Sequence, residues 1–198
     1  MISAILLAAG ESKRMGITKQ ILKFGKNTLL EYTINNLVNS KIDEIILVLG
    51  YKAEEIKKEI STKYEKLVIT INPDFRDGMS SSIKHGIGSI NPEAKAVLIV
   101  LGDQPLISSE IINSIINTYQ EKDAAIVAPV YKGTIGHPVC FDLEKYRDRL
   151  LGLSGDKGAK EIVDANTDDF FGVDVSSDNI LVDIDDKENY LKALKKIN

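Results

Sequence analysis

The chain has 198 residues with 25 Lys plus Arg against 29 Asp plus Glu, a net charge of −4 and a pI near 5.3, which excludes a basic nucleic-acid binder. A hydrophobic content of 43%, a charged content of 27% and only five Pro describe a globular protein long enough to bury a core in one domain, residues 1–198, and exclude disorder. The one cysteine, Cys140, leaves no internal disulfide, and no apolar run approaches the ~18 residues of a membrane span, so a cytoplasmic protein is expected.

The apolar start has no cationic leader, so it reads as a first strand, Ser3 to Leu7, and not as a signal peptide. It runs into Leu7-Ala8-Ala9-Gly10-Glu11-Ser12-Lys13-Arg14-Met15-Gly16, with Lys19 beyond. This spacing fits neither G-x-G-x-x-G nor G-x-x-x-x-G-K-[ST]. Small residues still let the backbone approach a ligand, successive N–H groups can form an anion nest, and Arg14 and Lys19 supply charge suited to a triphosphate. A plain strand-to-helix turn with solvated cations is the alternative. The net charge of residues 1–26 is +4, so the other 172 residues carry −8.

Helical spacing follows at Leu29, Leu30, Thr33, Ile34 and Leu37, then a strand at Glu44 to Leu49, a helix with Ile56 and Ile60, and a strand at Leu67 to Ile71. Asn72-Pro73 and Gly78-Met79-Ser80-Ser81-Ser82 come next and open a helix carrying Ile83, Ile87 and Ile90. Three hydroxyls and a Gly at a helix start can cap it or bind a polar ligand. His85, in that helix, reads as a surface residue. Ala96 to Leu101 is apolar throughout, as a central strand requires, and ends in Gly102-Asp103-Gln104-Pro105. A carboxylate there can hold Mg²⁺ or form a turn.

A helix through Ile111, Ile112, Ile115, Ile116 and Tyr119 leads to a strand at Ala125 to Val130. His137 sits in a rigid Gly136-His137-Pro138 turn, as a substrate contact or a structural histidine. Beyond it the pattern predicts a strand at Val139 to Phe141, helices at Leu143 to Leu150 and Ala159 to Ala165, a strand at Ile180 to Ile184, and a last helix through Tyr190, Leu191 and Leu194. Residues 164–188 hold nine carboxylates against the single cation Lys187. Asp183 and Asp185, alternating about Ile184, would share a strand face and either complete a metal site with Asp103 or form a solvated strand end.

Strands alternating with helices predict an α/β fold with a mostly parallel sheet covered on both faces. Ligands bind such sheets outside the carboxyl ends of the strands, where the segments Ala8 to Lys19, Asn72 to Ser82, Gly102 to Pro105 and Asp183 to Asp186 fall. Neither H-E-x-x-H nor G-x-S-x-G occurs, which disfavours zinc and serine hydrolases.

Taken together these residues resemble the nucleotidyltransferases that activate the molybdenum cofactor, most closely the molybdenum cofactor cytidylyltransferases. The match runs through Leu7-Ala8-Ala9-Gly10-x-Ser12-x-Arg14-Met15-Gly16-x-x-Lys19, Asn72-Pro73 with Gly78-Met79-Ser80-Ser81-Ser82, Leu101-Gly102-Asp103-Gln104-Pro105, Gly136-His137-Pro138-Val139, Gly155-Asp156-Lys157-Gly158-Ala159 and Asp183-Ile184-Asp185. The resemblance implies a single-domain, Rossmann-like three-layer sandwich of the nucleotide-diphospho-sugar transferase type. It also implies transfer of CMP from CTP to the terminal phosphate of the molybdenum cofactor (molybdopterin), with release of pyrophosphate. Leu7, Ala8, Ala9, Gly10, Ser12, Asn72, Gly78, Ser80, Ser81 and Ser82 would hold the nucleotide. Arg14 and Lys19 would bind its triphosphate, and Asp103 with Asp185 or Asp183 would hold Mg²⁺, making Arg14, Lys19 and Asp103 the catalytic set. Gln104, Gly136, His137 and Asp156 would lie on the acceptor side.

Ala9-Gly10 matches the cytidylyl branch, where guanylyl relatives have Gly-Gly. In two places the chain departs from the pattern: Ile135 stands where the family has Arg, and Asp186-Lys187-Glu188-Asn189 replaces the usual Thr-Pro-Glu-Asp. CTP and the cofactor are the expected substrates and a molybdenum hydroxylase the expected recipient, with no nucleic-acid or membrane partner. Another phosphate acceptor, GTP as donor, and a non-catalytic cofactor carrier are the alternatives. Lys19, Asp103 and Asp185 argue against the carrier, which needs no metal and triphosphate site.

Overall fold

A computed structural model describes residues 1–60, 64–122, 124–156 and 158–197. In chain order its elements are β1 (Ile2–Ala8), β2 (Lys23–Phe24), β3 (Asn27–Thr28), α1 (Leu29–Val38), β4 (Glu44–Leu49), α2 (Ala53–Glu59), β5 (Leu67–Ile71), α3 (Met79–Ile87), β6 (Ala96–Leu101), α4 (Ser109–Glu121), β7 (Ile126–Tyr131), β8 (Thr134–Ile135), β9 (Val139–Asp142), α5 (Leu143–Leu151), α6 (Lys160–Ala165), β10 (Phe170–Asp174) and α7 (Lys187–Ile197). Strand order among the described residues is β10-β7-β9-β6-β1-β4-β5, with β8 paired to β7 and β2–β3 forming a separate hairpin. Strands β5, β4, β1 and β6 run parallel, β9 lies antiparallel between β6 and β7, and β10 runs parallel to β7. The α/β expectation holds.

The period of two along β1 explains the layers. Ala4 and Leu6 face one side, where Leu30, Ile34 and Leu37 of α1, Ile56 of α2 and Ile112 and Ile115 of α4 pack; Ile5 faces the other, against Ile83 and Ile87 of α3 and Tyr146 and Leu150 of α5. Thr28 and Glu31 close a capping box at the start of α1, the Glu31 N–H donating to Thr28 Oγ1 at 3.2 Å. A smaller core joins the C-terminal end of the chain to the hairpin: Ala193, Tyr190, Leu194 and Ile197 of α7 meet Phe24, Leu29 and Leu106, with Ile184 buried among them.

The expected strand at Ile180 to Ile184 does not form. Asp178–Leu181 is a 3-10 turn and the residues after it join no ladder, because the segment is held by single backbone bonds, Ile184 N–H to the Asp103 carbonyl and His137 N–H to the Ile180 carbonyl, and by burial of Ile184. In the opposite sense, β8, β10 and the hairpin had no counterpart in the sequence pattern; β10 is an edge strand with Gly172 at its centre, and the others are two residues long. Among the described residues no helix is long and apolar enough to cross a membrane. The carboxyl ends of β1, β5 and β6 open on one side, and there the motifs gather.

Candidate active site

After β1 the chain folds over its own interior. Gln20 is buried, and its amide donates to the carbonyls of Ala8 at 3.2 Å and Gly10 at 3.1 Å while accepting from Ser12 Oγ at 3.3 Å. Two more first-loop carbonyls are used from outside: the Gly102 N–H donates to Leu7 and the Tyr51 N–H to Ala9. Ser12 adopts φ +54, a left-handed turn that sets the Lys13-Arg14 limb. The loop is thus a shaped rim, tied to the ends of β4 and β6.

Lys19 ends this limb with an ammonium that is only 13% exposed, 2.8 Å from Asp103 Oδ2 and 2.9 Å from Asp185 Oδ1. Arg14 reaches Asp185 Oδ2 at 2.6 Å. Burial pushes the Lys19 ammonium toward deprotonation, but Asp103 and Asp185 override it and hold its pKa above the ordinary value. Burial likewise opposes ionisation of Asp185, and Lys19 and Arg14 overcome it, leaving that carboxyl below its ordinary range. Asp185 is brought here by its neighbour: Ile184 is fully buried and its N–H donates to the Asp103 carbonyl at 2.9 Å. Ile184→Ala is expected to cost about 2–5 kcal/mol, as for other fully buried aliphatic truncations, and to loosen Asp185 from Lys19; denaturant unfolding and the pKa of Asp185 by NMR would check the two effects.

A cleft of about 840 Å³ joins these groups to the rest of the motifs. Leu7, Ala8, Ala9, Gly10, Ser12, Arg14, Lys19, Gly78, Ser82, Asp103, Asp156 and Asp185 line it, together with Glu11, Lys13, Gln20, Phe75, Arg76, Met79, Leu101 and Gly102. Phe75 and Arg76 carry no motif signal; they arrive because Phe75 packs where a side chain at Gly50 would sit, 2.6 Å from its Cβ. Asn72, Ser80 and Ser81 do not line this cleft. They face a second one of about 550 Å³ behind the start of α3, and the Asn72 amide donates to Ser81 Oγ at 2.9 Å and Ser82 Oγ at 3.1 Å, bracing the helix start.

The proposed acceptor residues separate as well. Asp156 lines the cleft, whereas Gln104 is buried beside Asp103, His137 is half-buried with its Nδ1 inaccessible, and Gly136 packs so closely on Ile180 that a Cβ would come within 2.6 Å of its carbonyl oxygen. Gln104 donates to Asp183 Oδ1 at 2.6 Å. Burial lowers the basicity of His137 against the opposing Ile99 carbonyl and the Asp183 and Asp103 carboxylates, and burial also raises the pKa of Asp183. Lys157, part of the Gly155 to Lys160 loop, lies outside the described residues.

Asp103 Oδ1 is buried without a hydrogen-bond partner, and Asp103 Oδ2 and Asp185 Oδ1 both contact the Lys19 ammonium, so hard oxygen donors from two segments gather around one positive charge. Asp183 is engaged by Gln104 instead, and among the described residues no three His, Cys, Asp or Glu are grouped to hold a metal unaided. The set fits Mg²⁺ that takes its other ligands from phosphate and water.

Comparison with known proteins gives a consistent picture. The MobA-like NTP transferase domain family matches residues 4–170. The molybdenum cofactor cytidylyltransferase of Escherichia coli K12 is 26% identical over 195 residues, covering 98% of this chain and 96% of that protein. The 2-C-methyl-D-erythritol 4-phosphate cytidylyltransferase of Lachnoclostridium phytofermentans is 31% identical over 137 residues, 68% of this chain and 58% of that protein. The crystal structure of the Mycobacterium tuberculosis Rv0371c homolog from Mycobacterium sp. strain JC1 superposes with a TM-score of 0.85 at 28% identity, covering 99% of this chain and 96% of that one.

Proposed function

Because the chain belongs to the MobA-like NTP transferase family, a family of nucleotidyltransferases, we propose that it transfers CMP from CTP to the terminal phosphate of the molybdenum cofactor and releases pyrophosphate. The observation that carries nucleotidyl transfer is the Arg14, Lys19, Asp103 and Asp185 cluster at one end of a cleft whose other wall is the small-residue loop Ala8 to Gly10. The acceptor is supported by the similarity to the Escherichia coli enzyme along nearly the whole chain. The choice of CTP is supported by Ala9-Gly10 and by two relatives named as cytidylyltransferases.

A phosphate monoester has a second pKa near ~6 and is largely an ionised nucleophile at neutral pH, so no general base is required. Its oxygen attacks the α-phosphorus of CTP, a new P–O bond forms, and the bond to the bridging oxygen breaks as pyrophosphate leaves with that electron pair. Lys19 and Arg14 bind and orient the β- and γ-phosphates and neutralise the charge gathering on the leaving oxygens. Asp103 and Asp185 would hold Mg²⁺, which would supply further charge neutralisation. Gln104, tied to Asp183, supports the Asp103 loop from behind.

Incubation with each NTP, Mg²⁺ and molybdenum cofactor is expected to give pyrophosphate release with CTP and little with GTP. Release only with a sugar or alcohol phosphate would overturn the acceptor, and release only with GTP would overturn the donor. Tight cofactor binding with no release under any NTP would favour a carrier.

A further inference from the structure

Residues 182–186 join no ladder, yet three contacts tie them to the turn after β6. The Ile184 N–H donates to the Asp103 carbonyl at 2.9 Å, the Asp185 and Asp103 carboxylates share the Lys19 ammonium, and Gln104 Nε2 donates to Asp183 Oδ1 at 2.6 Å. Together these set a register: on either side of buried Ile184, Asp183 falls to Gln104 and Asp185 to the cations. The turn that receives them is braced, since Asn36 of α1 donates to the carbonyls of Pro105 at 3.0 Å and Ile107 at 2.9 Å. Gln104 is only 3% exposed, and while its Nε2 is given to Asp183, its Oε1 is buried without a partner among the described residues. A buried amide ordinarily pairs at both ends, so what this side chain supplies is the donor.

We propose that Gln104 and Asp183 form a latch that positions Asp185 for a divalent cation, which makes Asp183 a positioning residue and not a metal ligand. The other side-chain ties of this stretch run from Asp185 to Lys19 and Arg14. In the reading above those two cations bind the triphosphate, so they leave Asp185 when the nucleotide arrives. The latch uses no phosphate-binding group and survives that exchange. With the Ile184 bond to the Asp103 carbonyl, it keeps Asp185 beside Asp103 once the ammonium no longer bridges them. Partners one bond removed from the ligands set metal affinity in this way, by holding ligand oxygens in place before the ion binds. This deepens the nucleotidyltransferase reading and rests on it.

Binding of Mn²⁺, a paramagnetic stand-in for Mg²⁺, at saturating CTP tests the latch, read by electron paramagnetic resonance on wild type, Q104M, D183A, D183N and the Q104M/D183A double variant. Q104M and D183A are each expected to bind Mn²⁺ about tenfold more weakly, the lower end of what losing such a partner costs. The double variant should be no weaker than either single one, because both break the same bond. D183N keeps an acceptor oxygen for the Gln104 amide and should recover most of the loss. In Q104M the Mg²⁺ concentration that half-saturates pyrophosphate release should rise in step, with the rate at saturating Mg²⁺ within about threefold of wild type. Q104M should also unfold at the wild-type denaturant concentration, since it removes an unpaired buried oxygen together with the donor, and this separates the latch from a general loss of stability. If Q104M fails to fold by circular dichroism, D183A against D183N carries the test. The latch is overturned by unchanged Mn²⁺ binding in the single variants, by additive losses in the double variant, or by a D183N as weak as D183A, which would make the carboxylate a ligand in its own right. Failure of the wild-type chain to bind CTP would overturn the nucleotidyltransferase reading itself.

Discussion

Asp103→Ala is expected to lower the rate of pyrophosphate release at saturating CTP and acceptor by at least about 100-fold, the scale of removing one key electrostatic stabiliser. The side chain stands just beyond β6 with one carboxylate oxygen on Lys19 and the other buried without a partner, so truncation removes both an anchor for the ammonium and the oxygen best placed for a cation. The backbone at this position keeps its own tie, since the Asp103 carbonyl accepts from the Ile184 N–H whatever the side chain is. The variant should therefore fold. Asp103→Asn, which keeps the shape and loses the charge, should lose a similar factor. Single-turnover kinetics on protein with a wild-type unfolding curve would check this, and near-normal turnover would remove Asp103 from the catalytic set.

Lys19→Met is expected to be as damaging to turnover, and in addition to change how the protein responds to divalent ions. Without the ammonium, Asp103 loses its cation and Asp185 keeps Arg14 alone, in a site where all three side chains are less than a quarter exposed. Leaving Asp103 unpaired should cost about 1–3 kcal/mol of stability, less than for a fully buried pair. Mg²⁺ should restore much of that loss and raise the melting temperature of the variant more than that of wild type. The pH dependence has a definite sign. Asp185 is shifted down from 3.8, so its contribution is present above that value and lost as pH falls through its lowered pKa; Lys19 is shifted up from 10.5, so its contribution is present below that value and lost as pH rises through its raised pKa. Between those limits the wild-type margin over Lys19→Met, measured by denaturant melts in EDTA, should be flat, and it should narrow on both sides.

Much of this arrangement was legible in the residues. The strands Glu44–Leu49 and Ala96–Leu101 are nearly continuous apolar runs because helices cover both sheet faces, and that signal survives without any knowledge of partners. The first loop and Asp103 were legible because their chemistry is local: small residues beside cations, and a carboxylate at a strand end. What failed was non-local. The alternation of Asp183, Ile184 and Asp185 looks like a strand, yet it arises because Ile184 enters the α7 core while its neighbours reach Gln104 and Lys19. Asn72, Ser80 and Ser81 carry a ligand-facing pattern but line the second cleft and not the first, because the Asn72 amide is drawn to the Ser81 and Ser82 hydroxyls at the start of α3. Phe75 and Arg76 carried no pattern at all, because their place in the cleft follows from the packing of Phe75 on Gly50 and the pairing of Arg76 with Glu11.

The Arg14–Asp185 bridge spans 171 positions of sequence. At a ribosomal pace of about 5–20 residues per second, its first partner waits roughly ten to thirty seconds for its second to be made. During synthesis the parallel strands can begin to assemble while the cation end of the cleft is still half built, with Arg14 and Lys19 lacking Asp185. A chain cut short before Val182 would keep the strands of the sheet but lose this corner.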